Sequence, residues 1–182
     1  MSTHARRPGP DSHSASTPKA LATTTDLTPN ETSAVADAVN PLIADAFALY
    51  VKTKNFHWHL SGDRFRDYHL LFDEQAAVIL ESIDPLAERV RKIGGTTLRS
   101  IGHIARLQTI PDDDEDYVGT FDMLRRLLAD NRRMAEAQRA AIEVCDSHRD
   151  TPTGNILQEI LDQTERRIWF LYELTQDAAE SR

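Results

Sequence analysis

Cysteine is almost missing from this sequence. Cys145 is the only one in 182 residues, so a single chain can form neither an internal disulfide nor a cysteine-ligated zinc site, and a reducing compartment is expected. Basic charge is short as well. Against 29 Asp and Glu stand 21 Lys and Arg, for a formal net charge of -8, which gives the folded body no electropositive footprint and argues against a helix-in-groove DNA reader. No stretch approaches the roughly 20 apolar residues of a membrane span, and Met1 to Ala22 carries no hydrophobic segment of the secretory type. The expected location is the cytoplasm, with no membrane partner. No strand-like alternation of apolar and polar residues stands out.

What is present is helical periodicity. Residues 1–28 hold Pro8, Pro10 and Pro18 among small polar residues, a composition that buries too little surface to offset its ordering entropy. They are expected to form a disordered tail. Arg6, Arg7 and Lys19 against Asp11 and Asp26 leave this tail mildly positive, as a purely solubilising tail would also be. Residues 29–179 then make a single domain of ordinary size. A first helix is predicted from about Asn30 to Leu60, started by Thr28, Pro29 and Glu31 and bent or broken at Pro41. After a turn at Ser61 and Gly62, a second helix runs from about Arg64 to Ile93 and stops at Gly94 and Gly95, with Pro85 expected to kink it between Asp84 and Glu88. A short helix over about 98–108, an acidic loop over 112–116, and long helices over about 119–146 and 153–178 follow. The fold class is all-α, a four-helix bundle with an extra short helix between the second and third long ones.

The second helix carries a polar stripe. His69, Asp73, Asp84 and Glu88 fall at roughly 0°, 40°, 60° and 100° around the axis when each residue turns the helix by about 100°. Their side chains are nitrogen and oxygen ligands suited to hard or borderline metals. Yet nineteen residues span roughly 28 Å of axis, so the two ends cannot share an ion within one subunit. A second copy running antiparallel across a two-fold axis would bring Asp84 and Glu88 of one chain beside His69 and Asp73 of the other. His57, delivered by the turn at Gly62, can add a third ligand to the first half. Trp58 follows it, either as a wall or electron donor beside a metal or as a plain core or interface residue. His59 points about 200° away from His57 and is left out. No glutamate has a histidine three residues later, which disfavours the Glu-x-x-His arrangement of bundles that hold two irons inside one subunit.

The run Asn55-Phe56-His57-Trp58-His59-Leu60-Ser61-Gly62, then His69 with Phe72-Asp73, then Asp84 with Ala87-Glu88-Arg89 and Gly94-Gly95, closely resembles the Dps family, the mini-ferritins also known as DNA-binding proteins from starved cells. The resemblance covers about residues 30–178, including Trp169. It implies a ferritin-like bundle, twelve of which form a hollow shell, with ferroxidase centres at two-fold interfaces: His57, His69 and Asp73 from one subunit, Asp84 and Glu88 from its neighbour. Iron would be oxidised there, with hydrogen peroxide preferred over dioxygen, and stored as Fe(III) mineral, protecting the cell from oxidative damage. Glu88 is expected to bridge or chelate, Asp84 to act more weakly. The resemblance also suggests acidic pores at three-fold axes for iron entry. Asp146 and Asp150 are the candidates, with a solvated loop as the alternative, since Asn155 stands where an acidic residue often occurs and Arg149 adds positive charge. An architectural reading is carried alongside, in which twelve basic tails compact DNA at the nucleoid. A third reading is a shell with a dead or differently metallated centre, holding zinc or manganese.

Overall fold

The computed structural model describes residues 18–176. Its α-helices are α1 (Pro29–His59), α2 (Phe65–Glu81), α3 (Ile83–Lys92), α4 (Ile101–Leu107), α5 (Thr120–Ser147) and α6 (Thr151–Gln176), with no strand among the described residues. α1 pairs with α2 and α3, α5 pairs with α6, and α1 also packs on α5, closing a four-helix bundle. Its core is built from fully buried side chains of every long helix, among them Ile43, Phe56, Phe72, Leu86, Leu127 and Leu157.

α1 begins as its sequence dictates. The Thr28 hydroxyl accepts the Glu31 N–H at 3.3 Å while the Glu31 carboxylate accepts the Thr28 N–H at 2.7 Å, a reciprocal cap that satisfies two otherwise orphaned donors. Pro29 costs nothing in the first turn, where its missing donor would have no partner. Of the two outcomes expected at Pro41, a break does not occur: the helix runs through it. One lost backbone bond is outweighed by the burial of Val35, Val39, Leu42, Ile43, Ala46 and Leu49 along the same face. By length and composition α1 is apolar enough to cross a membrane, correcting the expectation above, although half of the qualifying stretch is buried in the bundle.

The single helix expected over 64–93 is interrupted at Ser82. Pro85 has no N–H for the carbonyl of Glu81, and Ser82 tightens the turn: its N–H reaches the carbonyl of Ile79 at 3.2 Å and its buried hydroxyl reaches the same oxygen at 2.7 Å. The break therefore precedes Asp84 rather than falling between Asp84 and Glu88, and both acids ride on α3. The helix ends at Gly94, with φ +90°, and Gly95, where a β-carbon would sit 3.0 Å from a Val90 methyl and 3.2 Å from Ala36.

The crossover from α3 to α5 is pinned by Asp45, a buried residue of α1 whose carboxylate accepts the N–H groups of Thr109 and Ile110 and the Thr109 hydroxyl. α4 is shorter than predicted. The bundle interior holds cations: Lys52 pairs with Asp130 at 2.7 Å, and Arg167 donates to Asn131 and Thr164, both at 2.8 Å. Burial pushes the Arg167 guanidinium down to about 10. Two cations facing inward fit the lack of Glu-x-x-His motifs, since they would repel a metal there.

The tail expected over 1–28 lies outside the described residues for 1–17, and so does the end of the domain beyond 176. Over 18–28 the chain follows the body instead. Lys19–Leu21 make one 3-10 turn, Arg91 donates to the Leu21 carbonyl at 2.7 Å, and Leu27 packs on the core.

Candidate metal centre

His57 ends α1 and His69 lies in the second turn of α2, joined by a reversal in which Gly62 takes φ +97°. The two imidazoles stack with centroids 3.7 Å apart and planes inclined by 22°. Each ring nitrogen Nδ1 faces the other residue's backbone carbonyl, His57 to His69 at 2.9 Å and His69 to His57 at 3.1 Å. A carbonyl only accepts, so both Nδ1 atoms donate, and in the neutral ring Nε2 is the nitrogen left to bind a metal. Phe65 stacks on the outer face of His69 at 5.0 Å.

Asp73, one turn further along α2, joins this pair. Its Oδ1 lies 4.0 Å from His57 Nε2 and 2.6 Å from Lys54 Nζ. The Lys54 hydrogen bond and charge, with the imidazoles beyond, hold the Asp73 carboxyl below the usual carboxylate range. Lys54 carries no sequence signal of this role beyond its place three residues before His57, which puts it on the same face of α1. Trp58 is largely exposed, with Lys54 Nζ 5.9 Å from its ring centroid, so within one chain it is not a core residue.

Asp84 and Glu88 lie beyond the Ser82 break. Both are exposed, and Glu88 makes only a surface pair with Lys92 at 3.2 Å. Among the described residues, no group of three His, Cys, Asp or Glu side chains is placed to hold a metal ion. One chain thus presents two partial donor sets. His59 is exposed, its Nδ1–H given to the Asn55 carbonyl.

The pore candidates part company. Asp146 is exposed at the end of α5. Asp150 is not a solvated loop residue: it is 1% exposed, caps the start of α6 through the Thr153 N–H and hydroxyl, and pairs with Arg89 at 2.5 Å. A carboxylate so enclosed cannot line a water-filled pore, which corrects the expectation.

Residues 36–180 match the family model for the ferritin-like domain. The chain is 30% identical to DNA protection during starvation protein 1 of Deinococcus radiodurans over 83% of its own length and 73% of the relative's. It is equally similar, over 80% of its length and 82% of the relative's, to an uncharacterized low temperature-induced protein of Nostoc. The chain belongs to the Dps family of ferritin-like proteins. Among solved Dps structures, DpsC from Streptomyces coelicolor superposes with a TM-score of 0.80 at 30% identity, covering 83% of this chain and 88% of that one. The archaeal Dps homologue from Halobacterium salinarum gives 0.79 at 28% identity, covering 88% and 87%. The fold of this Dps chain is the one it shares with them.

Proposed function

We propose that this Dps protein is a ferroxidase and iron store whose sites are completed between subunits. The observation that carries the reading is the stacked His57–His69 pair with both Nδ1 protons tied to backbone. No ordinary packing role requires two imidazoles to leave their Nε2 lone pairs uncommitted beside a carboxylate. The imidazoles and Asp73 would hold Fe(II) on one chain, and Asp84 and Glu88 of a two-fold neighbour would close the site. Two Fe(II) each surrender one electron; the pair of electrons breaks the O–O bond of one hydrogen peroxide to give two hydroxides. Anionic oxygen ligands stabilise the ferric product over the ferrous substrate, and Lys54 must leave Asp73 as the metal arrives. Fe(III) then hydrolyses and collects as mineral inside a shell proposed to contain twelve copies. Asp146 is kept as the entry candidate, and its change to Asn should slow uptake.

The test is stopped-flow absorbance of ferric formation after apoprotein is mixed with anaerobic Fe(II) and then peroxide. Fast oxidation that Asp73→Ala/Glu88→Ala abolishes supports the reading; equal rates in both proteins make the polar stripe structural. The Deinococcus relative's name, DNA protection, favours a second reading in which DNA is also bound. A mobility shift at low salt, with and without residues 1–28, decides it, and no shift of either form removes the idea.

A further inference from the structure

We infer that Arg89 is the positioning residue for the α3 carboxylates, through a buried clasp on the start of α6; the inference rests on the inter-subunit reading above. α3 has little to orient it. The Ser82 turn and Pro85 interrupt the helix between α2 and α3, so the stacked histidine end alone does not fix which way Asp84 and Glu88 face. Buried Ile83, Leu86 and Val90 hold one side of α3 against the core, but apolar packing tolerates small rotations that a metal site does not.

Arg89 removes that freedom. It follows Glu88 directly and crosses to α6, where Nε donates to the Thr153 hydroxyl oxygen at 2.9 Å and Nη2 to Asp150 Oδ1 at 2.5 Å. The planar guanidinium fixes both contacts at once. Its acceptors are immobile: the Asp150 side chain is 0% exposed, its other oxygen takes the Thr153 hydroxyl proton, and its backbone carbonyl accepts the Gly154 N–H at 3.1 Å. Arg89 is therefore anchored to a helix start that cannot yield without exposing a buried charge. With Arg89 fixed, the adjacent Glu88 is held about 100° round the axis, on the solvent side, and Asp84 is held near it one turn earlier. A lysine at 89 would keep the charge but lose the planar fork that fixes both contacts in direction.

The experiment is titration of the assembled full-length protein with cobalt(II), read by visible absorption and calorimetry, so that no turnover is needed. Arg89→Lys and Thr153→Val should leave oligomer size unchanged, weaken cobalt binding by about tenfold or more, and alter the visible bands at saturation, the scale seen when a residue that orients a ligand is lost. Asp150→Asn should act similarly. Arg139→Gln, which breaks an exposed pair with Glu165 on the α5–α6 surface, should bind as wild type does. Wild-type affinity and spectrum in Arg89→Lys, with binding lost in Glu88→Ala, would overturn the clasp and leave the inter-subunit reading intact. Weaker binding that merely tracks loss of assembly, with wild-type bands at saturation, would overturn it too. Binding indifferent to Glu88→Ala would overturn the inter-subunit reading itself and the clasp with it.

Discussion

The two ends of this molecule present their candidate metal donors in opposite states. At the α1–α2 reversal, His57 and His69 are stacked with each Nδ1 committed to the other's backbone carbonyl, and Lys54 holds the Asp73 carboxyl below the usual carboxylate range. At the α3 end, Asp84 and Glu88 stand in solvent, and what holds them lies behind them: buried Ile83, Leu86 and Val90, the Arg89 clasp, the glycine stop, and the Thr32 hydroxyl, which donates to the Ile93 carbonyl at 2.9 Å. Nitrogen ligands have to be organised locally, because tautomer and ring plane both matter. Carboxylates tolerate rotation about their last bond, so fixing the helix suffices. In the proposed site, an antiparallel neighbour sets one end against the other.

Breaking either end should have the largest effect. His57→Ala or His69→Ala, and Glu88→Ala at the other end, should each slow peroxide-driven ferric formation by about a hundredfold or more, since each removes a ligand rather than its support. Asp84→Ala should cost less. Equal and small effects at both ends would dissolve the contrast. Next in size is the support behind α3. Asp150→Ala should destabilise the protein by about 3 kcal/mol, the penalty for stranding a mostly buried guanidinium, as measured by urea unfolding.

Lys54 sharpens the comparison from the other side. Lys54→Met should raise first-metal affinity severalfold, because a cation no longer competes for Asp73, and should return the Asp73 carboxyl toward the usual carboxylate range; infrared titration of the carboxylate band checks the second point. Acid should loosen the α3 end in particular. Arg149 and the Thr28 cap lower Glu31 from 4.5 to about 2, and the Arg149–Glu31 pair ties the start of α1 to the α5–α6 turn. A depressed carboxyl adds stability that is fully present above 4.5 and is lost as pH falls toward 2. Urea midpoints measured between pH 6 and pH 3 should therefore fall less steeply in Glu31→Gln than in wild type. The smallest effect is a silence. Cys145 lies at this end of α5, fully buried, its thiol pushed up to about 12 by burial and by Asp150 and Asp146, so a thiol reagent at pH 8 should not label it until the end opens.

The legible parts were those that local chemistry decides. Thr28-Pro29-Asn30-Glu31 announces a capped start, Gly94-Gly95 a stop, and the period of apolar residues the long helices, to within two or three residues at most ends. The separation of the polar stripe into two groups was legible because axial rise alone forbids its two ends from meeting. What escaped depends on partners far along the chain. Asp150 reads as a loop acid until Arg89, sixty-one residues earlier, is seen to cover it. Lys54 reads as surface charge until α2 folds back and brings Asp73 to it. The interruption at Ser82 escaped because Pro85 acts on the turn before it, not on the bonds after it.

Complementation tests the division of the site most directly. Asp73→Ala and Glu88→Ala subunits, each inactive alone, are unfolded, mixed one to one, reassembled and assayed for ferric formation. If each site takes His57, His69 and Asp73 from one chain and Asp84 and Glu88 from another, random pairing restores about a quarter of the wild-type sites, and the rate should recover in proportion. Mixed shells as inactive as either parent would mean that each chain builds its site alone, contradicting the account.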